Sequence, residues 1–143
     1  MRRQAAISAL AIFSALILHH DSLAQGALAE RASIFYNAWQ TGDPKPIWDI
    51  LSPDIKEYTD FDTYSINLKM FFGGTRLTGF RIRKVNESDK EATVDTDVVL
   101  VVVVPGEAER SDRAPHAIET IDRTRWVRRQ AIWYLATKPR VLE

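Results

Sequence analysis

Residues 91–104 read EATVDTDVVLVVVV, and this stretch decides the fold. It is rich in β-branched side chains, alternates apolar with polar through Asp97, and ends in an unbroken apolar run, Val99–Val104. A run of this kind is a strand buried on both faces or covered by a partner, because left bare it is an aggregation hazard. Pro105-Gly106 stops it. Upstream, Phe80–Val85 alternates and Asn86-Glu87-Ser88-Asp89 has turn chemistry, so a strand precedes it. Downstream, the polar stretch 107–115 reads as a loop, His116–Val127 as a third strand and Ile132–Thr137 as a fourth.

The N-terminal half has the other period. Leu28, Ala32, Phe35 and Trp39 form one apolar stripe over a helix Ala27–Gln40, with Gly42 just past its end. Asp43-Pro44 restarts the chain as N-cap and first helical residue, and a short helix follows over Pro46–Leu51. Ser52-Pro53 ends it where a further turn can open. A third helix is expected over Asp60–Phe72, with the stripe Phe61, Tyr64, Leu68 and Phe71. Thr59-x-x-Asp62 resembles a capping box at its start, and Gly73-Gly74 is expected to end it. Three helices followed by an antiparallel meander is an α+β pattern.

The 143 residues are 45% hydrophobic and 27% charged, with 19 basic and 19 acidic side chains and no cysteine. That is one ordinary domain, too apolar for disorder and too balanced in charge for a nucleic-acid binder. The lack of cysteine excludes disulfides, thiolate metal sites and thiol catalysis. Arg128-Arg129 is a turn pair, and Gly73-Gly74-x-x-x-x-Gly79 lacks the Lys-Ser/Thr of a phosphate loop.

The start is an address. Met1-Arg2-Arg3-Gln4 is basic, Ala5–Leu18 is apolar, and Ser22-Leu23-Ala24 fits the small-x-small cleavage pattern. The apolar run is short of the roughly 20 residues that span a bilayer. Residues 1–24 are therefore expected to be a cleaved secretory signal and 25–143 a single periplasmic or secreted domain, in contact with the membrane only through the leader. The leader takes His19 and His20 with it, leaving His116, so a multi-histidine zinc site is not expected. No metal or nucleotide signature implies a cofactor.

Phe35-Tyr36-x-x-Trp39, then Thr41-Gly42-Asp43, then Leu51-Ser52-Pro53-Asp54, resembles the nuclear transport factor 2-like superfamily. So does the ending Arg125-Trp126-Val127-Arg128-Arg129-Gln130-Ala131-Ile132-Trp133-Tyr134-Leu135, which is similar to that superfamily's last hairpin. The resemblance, including to ketosteroid isomerase and SnoaL-like members, implies a cone. In it, three N-terminal helices pack on a curved antiparallel sheet with a pocket between them. It does not imply one activity, because members include isomerases, dehydratases, non-catalytic binders and assembly modules.

A symmetric 105–115 loop would set Asp97 opposite Arg123 and Asp95 opposite Arg125, since opposite charges favour facing positions. Both acids then read as surface ladder partners. The same face carries Val99, Val101, Val103 and Ile121, a patch that would pair two copies as a homodimer. The other face carries Val98, Thr120, Asp122, Thr124 and Trp126. A tight Arg129-Gln130 turn would set Trp126 opposite Trp133 on it. This is expected to be the concave face. Asp122 conflicts with such a place, so it must be hydrogen-bonded, line a cavity or carry a raised pKa.

The candidate ligand-binding residues are Tyr36, Trp39, Tyr64, Thr120, Asp122, Trp126 and Trp133. The leading expectation is an exported domain binding a small, largely apolar molecule or a partner in its cone. The alternatives are a lyase or isomerase with Asp122 as general base and Tyr64 as donor, and an assembly module of an envelope complex. N-terminal sequencing of the exported protein should find a chain beginning near Gln25; an intact Met1 chain in the membrane fraction would instead identify an anchor.

Overall fold

The computed structural model describes residues 26–102 and 116–137; the leader, Val103 and the loop 105–115 lie outside the described residues. Helix α1 covers 26–41, α2 Pro44–Ile50, α3 Pro53–Lys56 and α4 Phe61–Gly74. Strands β1 (Thr75–Glu87), β2 (Glu91–Val102), β3 (Ala117–Arg129) and β4 (Ile132–Leu135) follow. They form one antiparallel sheet in chain order. Helices on one face of an antiparallel meander is the α+β fold expected from the two periodicities.

The helix starts are local chemistry. Asp43 accepts from the Lys45 N–H at 3.0 Å, with Pro44 in the first helical position. Asp60 caps α4 by accepting from the Thr63 N–H at 2.8 Å, and that bond holds its carboxyl below the usual range. The expected capping box is thus replaced by a single-residue cap. Gly73 and Gly74 do not end the helix; they are its last two residues, and β1 begins at once with Thr75. The strand is therefore longer than its clean alternation at Phe80–Val85. It is interrupted by two register shifts, between Leu77 and Gly79 and between Ile82 and Lys84. Each leaves an extra residue, Thr78 or Arg83, which hides the period and bends the strand.

Both hairpin registers differ from the expected ones by two residues. Asp95 pairs with Arg123 and Thr96 with Asp122, while Asp97 stands opposite Ile121. The Arg123 guanidinium grips Asp95 with two bonds, at 2.6 and 2.9 Å, and Asp97 is instead held by Arg81 at 2.9 Å. In the last hairpin Trp126 faces Leu135 and Trp133 faces Arg128, because the turn falls on Gln130-Ala131. A two-residue shift preserves the face of every side chain. Asp122 is accordingly on the inner face with Val94, Thr96, Val98, Thr124 and Trp126, where the sequence placed it.

The core lies between that face and the helices. Leu28, Ala32, Tyr36 and Trp39 of α1 are all buried, as are Ile47, Leu51, Trp126, Trp133 and Leu135. Each large apolar side chain so buried contributes about 1.5–3 kcal/mol. On the outer face Val99 is half-buried and Ile121 half exposed, but Val101 is only 8% exposed. The expected valine patch is therefore not open at Val101.

The Arg123 guanidinium holds the Asp95 carboxyl below the usual carboxylate range. A depressed native value stabilises the fold above the unfolded value of about 4 and is lost as pH falls through the native one. Asp95→Asn should flatten the acid limb of the urea midpoint against pH below about pH 4. An unchanged limb would mean that the pair contributes nothing.

Candidate functional site

Helix α1 crosses the sheet so that Tyr36 lands on the middle of the inner face. Its ring stacks on Phe80, with centroids 5.2 Å apart, and meets Phe35 edge-on at 4.9 Å. Its hydroxyl donates to Asp122 Oδ2 at 2.9 Å. Burial, and after it the negative charge of Asp122, push the phenol well above its ordinary pKa. Tyr36 therefore stays protonated and acts as a hydrogen-bond donor.

Two threonines flank the pair, and both would ease ionisation of Tyr36. Thr124 Oγ1 is engaged elsewhere: it accepts from Trp126 Nε1 at 2.9 Å and donates to the Val94 carbonyl at 3.5 Å. Thr96 Oγ1 is buried without a partner in hydrogen-bonding geometry. Such an orphan is uncommon in a core, and this one lies directly across the ladder from Asp122. Asp122 itself is half-buried. One of its oxygens is tied to a helix, at the border between core and surface. The arrangement can hold a carboxylate in a fixed orientation and offer it to a donor group.

Tyr64, the expected donor to a ligand beside Asp122, is buried, 4% exposed. Helix α4 packs chiefly on α2 and β1. Tyr64 accordingly joins the cluster containing Trp126 and Trp133, its ring 5.4 Å from Trp48. Among the described residues it makes no hydrogen bond to Asp122, and burial alone raises its pKa. The hydroxyl that donates to Asp122 itself is that of Tyr36.

The expected pocket lining divides in two. Tyr36, Trp39, Tyr64, Trp126 and Trp133 are each no more than 5% exposed, so they fill the cone. Trp39 Nε1 is further fixed by donating to the Thr75 carbonyl at 2.8 Å. Only Thr120 and Asp122 of that set reach the surface. Beyond them the inner face becomes more exposed: Ile118 and Val102 are each 48% exposed, and Leu100, packed on the cluster of Tyr36, Trp39 and Val98, is half-buried. These three were not singled out from the sequence. Their inner-face parity was readable, but where the helices stop was not.

On the outer face an open groove of about 640 Å³ crosses the sheet at Gly79, Val99, Asp97 and Ile121. In it Arg81 and Arg83 both pair with Asp97, at 2.9 Å and 3.6 Å. Among the described residues no group of three or more His, Asp or Glu is placed to hold a metal ion. No described helix is long and apolar enough to cross a membrane.

No family model matches the chain, and no curated protein matches it in sequence. Solved structures do. A SEC-C motif containing protein from Rhodopseudomonas palustris superposes with a TM-score of 0.51 at 14% identity, over 71% of this chain and 69% of that one. A SEC-C motif containing protein from Psychrobacter arcticus gives 0.48 at 16% identity, over 76% and 56%. An NTF2-like transpeptidase from Campylobacter jejuni gives 0.47 at 10% identity, over 77% and 98%. The first shows a shared arrangement of helices and sheet. An NTF2-like protein thus stands among the neighbours, at a similarity too low to place this chain in that superfamily, and none of the likenesses speaks to activity.

The bond between Tyr36 and Asp122 can be weighed directly. Tyr36→Phe should lower stability by about 1.5 kcal/mol in urea denaturation. In an Asp122→Ala background the same change should cost close to nothing, because the acceptor is already gone. Equal losses in both backgrounds would show that the bond is not a stabilising one.

Proposed function

We propose that the protein is an exported, non-catalytic binding domain that seats a small, largely apolar molecule at the open end of its concave face. The observation that carries the reading is the continuation of the core face into solvent. Leu100 continues the packed inner row, Val102 and Ile118 carry it into solvent, and the row leads to Thr120 and Asp122. Apolar area with one oriented polar group at its margin is the composition of a small-molecule site. Asp122, steadied by Tyr36, would accept from a donor on the ligand, and Thr120 offers a second polar contact. Export rests on the leader composition at Met1–Ala24.

The catalytic alternative, with Asp122 as general base, has less support. The phenol that meets Asp122 is fully buried behind it, so it is aimed at the acid and not at a substrate. An envelope assembly role would use the same surface for a protein segment. Titration with Nile red, a neutral apolar dye, tests the reading. Saturable fluorescence enhancement at one dye per chain is expected. Ile118→Lys should abolish it, and Asp122→Asn should leave the neutral dye bound while weakening a cationic amphiphile about tenfold, the loss of one charge-assisted contact. Absence of saturable binding, or binding indifferent to Ile118→Lys, would overturn the proposal.

A further inference from the structure

Strand β3 is an interior strand only at its C-terminal end. β4 pairs with Trp126–Arg129, and among the described residues no strand lies on that side of Ala117–Thr124. The contacts of Arg125 fix which backbone groups point outward there. Its carbonyl accepts from the Ala136 N–H at 2.8 Å, and its own N–H donates to Thr137 Oγ1 at 2.7 Å. Backbone groups alternate in direction along a strand. The N–H and C=O of Glu119, Ile121 and Arg123 therefore point to the same open side, and those of Thr120 and Asp122 point to β2. Ala117–Thr124 holds no proline and no lysine and shows no shift in the β2–β3 register, and its charges, Glu119, Asp122 and Arg123, are of both signs.

The residues on this edge are complementary to themselves. Run antiparallel against a copy, Glu119-Thr120-Ile121-Asp122-Arg123 sets acid against base at both ends and isoleucine against isoleucine in the middle. We infer that the protein forms a two-fold dimer by pairing the β3 edges of two copies about Ile121, giving one sheet continuous across both chains. In this ladder Glu119 faces the partner's Arg123, and Arg123 faces the partner's Glu119. Ile121, half exposed in the single chain, covers the partner's Ile121. Arg123 holds Asp95 through Nε and Nη2, which leaves the Nη1 donors for the partner's Glu119. A shift of two residues either way sets Ile121 against a charge. A shift of four sets Glu119 against Glu119 or Arg123 against Arg123. Charge thus selects one register, and opposite charges in facing positions stabilise it. The same ladder places the partner's Thr120 opposite Asp122, so the open ends of the two concave faces adjoin. The dimer does not depend on the ligand-binding reading.

The test is sedimentation of the purified protein over a concentration series, with amide exchange. The wild type should be dimeric, with the Ile121 and Arg123 amides protected at high concentration and exchanging freely on dilution. Glu119→Arg turns two attractive pairs into repulsive ones and should weaken the dimer about tenfold. Ile121→Pro removes an outward N–H that no bond among the described residues uses; it should give a monomer that melts with the diluted wild type. A wild type that stays monomeric at its highest soluble concentration overturns the inference. So does a dimer that survives both substitutions. A monomer with a protected Ile121 amide would mean that the chain covers its own edge, and overturns it equally.

Discussion

One helical stripe, pressed into the concavity of a bent sheet, organises this molecule. Leu28, Ala32, Tyr36 and Trp39 present a continuous row on α1, and the inner faces of β1, β2 and β3 close around it. Tyr36 sits at its centre, stacked on Phe80 of β1 and bonded to Asp122 of β3, so a single side chain reaches across three of the four strands. The two irregularities in β1 supply the bend that makes this reach possible. Once α1 occupies that position, α4 packs on β1 and α2, and Ile118 and Thr120 near the start of β3 stay exposed.

Much of this could be read from the residues, and the limit of the reading has a physical basis. The period of a strand is two, so the inner and outer faces of β2 and β3 follow from the sequence alone, and Asp122 was assigned to the correct one. The offset between strands follows from loop geometry, which composition does not encode. The long 103–115 connection and a turn built on Gln130-Ala131, in place of a glycine or asparagine pair, moved both hairpins by two residues. Where β1 begins was hidden by two glycines that continue a helix instead of ending it, and by extra residues that interrupt its alternation.

The site was legible in part for the same reason. A helix stripe shows which residues face the sheet, but not which strand each one meets. Tyr36 and Tyr64 were both on apolar stripes, and only the placement of α1 over β2 and β3 separates the one that bonds Asp122 from the one that packs on Trp48. The aromatic residues expected to line a pocket are what fills it. The surface proposed for recognition lies at the margin of the core, in Val102, Ile118 and Thr120, where apolar side chains are exposed beyond the packed row that ends at Leu100.

The turn at Gln130 and Ala131 has a further consequence. Both residues are left-handed, at φ of 49° and 65°, the conformation that joins strands of natural twist through a two-residue loop. Neither is glycine, so each carries a cost of about 1 kcal/mol. A four-residue strand beyond such a turn has little to hold it locally. β4 is secured from the opposite direction: Ser52 N–H donates to the Leu135 carbonyl at 2.8 Å, Leu51 bridges Leu135, and Trp133 and Leu135 are buried under the helices. The last hairpin is thus held as much by the helical layer as by its own turn, so a change at Leu51 or Ser52 reaches the far end of the sheet through Leu135.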